Sequence, residues 1–141
     1  MTPHRITGLC IALLLSLALT AACGATSSAR LAGTAWTLIE LNGQAPVQGR
    51  QATMRFEKDT IQGSTGCNTY GGGYAARAET LTIKEVYATE MACLEPQGLM
   101  DQEREFLAAL AVIAAHRIDG DQLELLDASG TVLLAFAAAD E

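Results

Sequence analysis

Apolar positions along this chain follow three successive rhythms. From Ile6 to Ala22 they run almost without interruption, through Leu9-Cys10-Ile11-Ala12-Leu13-Leu14-Leu15. From Thr34 the period becomes two. Trp36, Leu38 and Glu40 share one face of a segment 34–41 that ends at Asn42-Gly43, a turn dipeptide. Ala52 to Phe56 alternates again with Met54 and Phe56 inward, and Lys58-Asp59 turns the chain into Thr60 to Gly66. Leu81 to Ile83 and Tyr87 to Cys93 read as two further extended pieces. Between Gly98 and His116 the period lengthens to that of a helix. Leu99, Phe106, Leu107, Leu110 and Ile113 lie near one stripe, with Asp101, Gln102, Glu103 and Arg104 on the outer side. Pro96 suits the approach to a helix, and acidic residues in its first turns complement the dipole. Leu123 to Leu126 and Thr131 to Phe136, joined by Asp127-Ala128-Ser129-Gly130, read as a closing hairpin. The pattern predicts an α+β domain, a largely antiparallel sheet curled over one helix.

The first rhythm is an address. Arg5 precedes an apolar run that ends near Ala22, short of the roughly 20 residues a spanning helix needs, which is the form of a secretory signal. The run closes on Thr20-Ala21-Ala22-Cys23-Gly24, which resembles the lipobox of bacterial lipoproteins, with Thr20 where leucine is usual. That resemblance implies cleavage before Cys23 and a diacylglycerol on its sulfur. The alternative is a plain signal cut near Ala22 that leaves Cys23 an unpaired thiol. On the lipoprotein reading, residues 1–22 are a lipoprotein signal peptide, 23–32 a tether and 33–137 the folded domain. Gly24, rather than Asp, implies the outer membrane facing the periplasm. The expected contact with the membrane is therefore the N-terminal lipid, because two or more acyl chains anchor stably.

Composition narrows the classes. The chain has 141 residues, enough for one packed domain, and part of its 50% hydrophobic content belongs to the address. Lys+Arg 9 against Asp+Glu 16 gives a net charge of -7, which argues against nucleic acid as a partner, since phosphate neutralisation needs surplus cations. The same charge disfavours adsorption to anionic lipid.

Four cysteines divide by position. Cys10 leaves with the signal, Cys23 falls to the lipobox, and Cys67 and Cys93 remain as a pair in an oxidising compartment. A disulfide between them is the favoured reading. A redox pair or a metal site are the competitors, and neither C-x-x-C spacing nor a nearby His supports them.

The densest local signal is Gly63-Ser64-Thr65-Gly66-Cys67-Asn68-Thr69-Tyr70-Gly71-Gly72-Gly73-Tyr74. It lacks the lysine of a phosphate loop and the Rossmann spacing, so its glycines point to turns or close backbone approach. Gly66-Cys67-Asn68-x-Tyr70, then Leu81-x-Ile83, then Thr89-x-Met91-Ala92-Cys93, then Met100-x-x-Glu103-x-x-Phe106-Leu107 resemble the META domain of the HslJ-like heat-shock lipoproteins. Gly33-x-x-Trp36 and Gly120-Asp121-x-Leu123-x-Leu125 fit the same pattern, so the resemblance covers about residues 31–136. It implies a small antiparallel half-barrel with one helix packed against it, and a similarity to lipid-binding pilot lipoproteins. It implies no established reaction, only links to heat and antibiotic tolerance and, in parasites, to motility or virulence.

Catalytic chemistry finds little support in these residues. His116 at the end of the predicted helix suits a C-terminal cap better than a base. The scattered carboxylates Glu79, Glu85, Glu90 and Glu95 read as a solvated face, and Asp119-Gly120-Asp121 as a turn. No catalytic residue, metal or cofactor is expected; a carboxylate enzyme and a pilotin-like assembly chaperone stand as alternatives. Asn68, Tyr70 and Thr89 flank the expected disulfide, where local turn chemistry competes with ligand contact. With Trp36 and Phe56 they form the candidate cleft for a lipid or an envelope-protein partner.

Overall fold

A computed structural model describes residues 31–139. The expected signal peptide, Cys23 and the tether as far as residue 30 lie outside the described residues. The described residues form eight strands and one helix: β1 (Ala35–Leu41), β2 (Thr53–Phe56), β3 (Thr60–Ser64), β4 (Thr69–Arg77), β5 (Thr80–Ala88), α1 (Leu99–Leu110), β6 (Ile113–Asp119), β7 (Gln122–Asp127) and β8 (Val132–Ala138). Each strand pairs antiparallel with the next, and β1 pairs with β8, so the sheet is a closed barrel.

This corrects the expectation of an α+β open sheet, a half-barrel. Two strands absent from the sequence reading supply the closure. The first, β4, is the glycine-rich motif itself, in register with both β3 and β5. The second, β6, occupies what the spacing assigned to the end of a helix. Helix α1 stops at Leu110, and Ile113 to Asp119 pairs with β7 through six residue pairs, from Ile113↔Asp127 to Asp119↔Gln122. His116 is consequently a buried strand residue and caps no helix. The apparent turn at Asp119-Gly120-Asp121 is the β6–β7 hairpin, with Gly120 at φ 56°.

The weakest join is β5 to β6. One residue pair, Thr80↔Ala115, and a backbone bond from His116 N to the Glu79 carbonyl at 2.8 Å hold it. Helix α1, inserted in sequence between these strands, buries Phe106, Ala109 and Leu110 in the common core with Trp36, Leu38 and Phe136. Phe106 meets Tyr70 edge-on at 5.2 Å between centroids and Phe136 at 6.5 Å. The barrel interior is thus packed with side chains.

Alternation works as expected in β1, where Trp36 and Leu38 are inward and Thr37 lies between them. It breaks after Ile39, where a bulge against β8 leaves Glu40 exposed and turns Leu41 inward, so Glu40 does not join the Trp36–Leu38 face. Asn42 and Gly43 both take positive φ, 49° and 79°, as the turn dipeptide requires. The β7–β8 hairpin is tied by the Asp127 carboxylate, which accepts from the Ser129 and Thr131 backbone N–H groups at 2.8 and 3.0 Å.

Candidate functional site

Two constellations use the residues the sequence singled out, and they do different work. The first is a polar clasp under the β3–β4 turn. Asn68, fully buried, satisfies its whole carboxamide. Its Nδ2 donates to Glu103 Oε1 at 2.9 Å and to the Met91 carbonyl at 3.0 Å. Its Oδ1 accepts from Thr89 Oγ1 and from the Met91 N–H, both at 2.8 Å. Glu103 reaches the same turn from α1, accepting from Thr65 Oγ1 at 2.5 Å and from the Asn68 N–H at 3.2 Å. Gln102 beside it donates to the Thr65 carbonyl at 2.9 Å and accepts from the Val47 N–H at 2.7 Å. The Cys67–Cys93 disulfide spans the same gap, with Cα atoms 5.9 Å apart.

Gln102 and Glu103 were placed on the outer side of the helix by periodicity and are buried. The polar positions follow from need: the turn at Thr65–Asn68 presents backbone and side-chain groups inward, and only polar residues can receive them. The signal that could have found Glu103 was its place in the Met100-x-x-Glu103 motif. Both Glu103 oxygens are engaged in this clasp, an architectural use of the carboxylate.

The second constellation is a groove of about 620 Å³ across the outer wall of β1 to β5. Thr89, Trp36 and Tyr70 border it, the last two with side chains buried in the core, whereas Phe56 lies wholly inside the core and Asn68 inside the clasp. Of the five expected cleft residues, Thr89 is the one exposed at the groove. Arg55, Gln62 and Tyr87 complete the groove and had not been singled out, Arg55 and Gln62 because isolated polar residues on alternating strands carry no local signal.

Glycines shape it. Tyr70 crosses Gly63 on the inner face and donates its hydroxyl to the Thr53 carbonyl at 2.9 Å; a Cβ on Gly63 would stand 2.0 Å from that oxygen. On the outer face the Tyr87 ring lies across Gly71, where a Cβ would stand 2.5 Å from its hydroxyl oxygen. Tyr87 nevertheless stays 71% exposed. Burial holds the Tyr70 hydroxyl far above the ordinary tyrosine range, so it remains a neutral donor.

A family model of the META domain matches residues 29–140. The chain belongs to the META domain family. No curated protein matches this META domain significantly. Among solved structures, it is similar to the solution structure of a protein from Burkholderia xenovorans, at 22% identity and TM-score 0.63 with full coverage of both chains. It is also similar to a crystal structure of a DUF4847 family protein from Bacteroides vulgatus, at 16% identity and TM-score 0.60, covering 79% of this chain and 96% of that one. At these identities the likeness speaks to the META fold alone.

Proposed function

We propose that this META domain protein is a non-enzymatic lipoprotein of the cell envelope, held by a lipid on Cys23 at the outer membrane facing the periplasm. Its contribution to heat and antibiotic tolerance comes from binding a lipid or an envelope-protein partner in the groove across β1 to β5. The observation that carries the reading is Tyr87, a large aromatic side chain laid over Gly71 at the groove and left 71% exposed. Exposed aromatics beside a concave surface favour ligand contact because the ring offers apolar area with a polar tip. The engagement of Asn68 and Glu103 in the clasp supports a structural rather than catalytic use of the buried polar residues.

The test is to purify the full chain from envelopes in a mild nonionic detergent and identify what accompanies it by mass spectrometry. The wild type is expected to carry a lipid or envelope protein that Tyr87→Ala loses. Equal loading of the two proteins, or none in either, overturns the reading. Cys23→Ala is expected to move the protein out of the membrane fraction, and a deletion strain to grow poorly under heat and envelope-active drugs.

A further inference from the structure

We infer that the β1–β5 groove receives the headgroup of an anionic glycolipid, with Arg55 at its phosphate or carboxylate and Tyr87 against its sugar. This rests on the binding reading above and names the ligand class for the same site.

Charge gives the first argument. The chain is acidic overall, yet Arg55 is the charged side chain in the groove lining and no carboxylate lines it among the described residues. Two other arginines are paired, Arg104 with Asp101 at 2.7 Å and Arg117 with Glu124. Arg55 has no carboxylate within 4.0 Å among the described residues. A planar guanidinium left open at a concave surface matches a carboxylate or phosphate through two parallel N–H bonds.

Spacing gives the second. Arg55, Gln62 and Gly71 are successive register partners on β2, β3 and β4. Adjacent strands lie about 4.8 Å apart, so Arg55 and the Gly71 position beneath the Tyr87 ring are about 10 Å apart at the backbone. That distance suits a short oligosaccharide rather than a single ion. The exposed ring of Tyr87 offers its electron-rich face to the C–H face of a pyranose. Gln62 stands between, and Thr69 lines the same groove, as donors and acceptors for sugar hydroxyls.

Packing gives the third. The barrel interior is occupied by Phe56, Phe106, Phe136 and Leu134, all fully buried, so an acyl tail finds no room there. The groove lies on the outer wall and meets the polar end of an amphiphile.

Calorimetric titration of the full-length lipoprotein in nonionic micelles tests this with three soluble probes: a phosphorylated glucosamine disaccharide, the unphosphorylated disaccharide and inorganic phosphate. The phosphorylated sugar is expected to bind at least tenfold tighter than either other probe. Arg55→Gln should reduce it to the level of the unphosphorylated sugar, and Tyr87→Ala to the level of phosphate. Both side chains are exposed, so unchanged melting temperatures will show that the variants fold. Arg104→Gln, on α1, should leave binding intact. The inference is overturned if inorganic phosphate matches the phosphorylated sugar, if Arg55→Gln binds as wild type does, or if none of the probes binds. In any of these cases a partner that co-purifies with wild type and not with Tyr87→Ala still upholds the broader binding reading.

Discussion

Asn68 on the β3–β4 turn and Glu103 on α1 are joined twice, through Nδ2 to Oε1 at 2.9 Å and through the Asn68 backbone N–H to Oε2 at 3.2 Å. Cutting the helix side of this pair with Glu103→Ala strands the Asn68 amide and the Thr65 hydroxyl in a buried setting. The expected loss is about 2–4 kcal/mol, read from urea midpoints. Asn68→Ala should cost a similar amount, and the double variant less than the two together, because the residues share one network. Additive losses would show that they act separately.

The disulfide closes a sequence separation of 26 residues. Replacing both cysteines by serine is expected to remove about 3–4 kcal/mol by releasing the unfolded chain. Scanning calorimetry of oxidised and reduced protein provides the check, and a melting temperature indifferent to reductant would contradict it.

Gly63 and Gly71 should answer alanine differently. At Gly63 the added carbon meets the Thr53 backbone carbonyl, which cannot move without disturbing β2, so Gly63→Ala should destabilise by about 1–3 kcal/mol or more. At Gly71 it meets the outer end of the exposed Tyr87 ring, which can swing away. Gly71→Ala should therefore unfold at nearly the wild-type denaturant concentration while weakening ligand binding in the groove.

Burial lowers the His116 pKa below the ordinary imidazole value of 6.5, against the opposing pull of the Glu79 carbonyl and carboxylate. Its Nδ1 has no partner among the described residues. A folded-state value below the unfolded one means that the unfolded chain takes up the proton first. The His116 contribution is whole above about pH 6.5 and falls away as the pH drops from there toward the lower folded value. His116→Leu should flatten the stability profile in that window, measured by urea denaturation across pH.

Much of the wall could be read from alternation, because Trp36, Leu38, Met54 and Phe56 carry large side chains at every second place and Asn42-Gly43 marks a turn by its chemistry. Strand β4 could not, since Gly71-Gly72-Gly73 has no side chains to alternate; Tyr87 from β5 supplies the bulk over Gly71. Strand β6 was concealed by coincidence. Ile113 and His116 stand three apart, a spacing that continues the helical stripe of Leu107 and Leu110, and Ala111-Val112 breaks the helix without glycine or proline. The motif around Asn68 was visible as a signal, but its use as a clasp depends on Glu103 arriving from 35 residues away, which no local window reports. The groove gathers residues from five strands and becomes legible only once the register is known.

The join between β5 and β6 lies diametrically away from the strand through which the chain enters the barrel. The chain reaches β1 from Leu31, and β1 is stitched to β2 on one side and to β8 on the other. The single Thr80↔Ala115 pair therefore stands across the barrel from that entry. The least sewn seam is thus the first place for thermal opening, remote from the strand at which the chain enters.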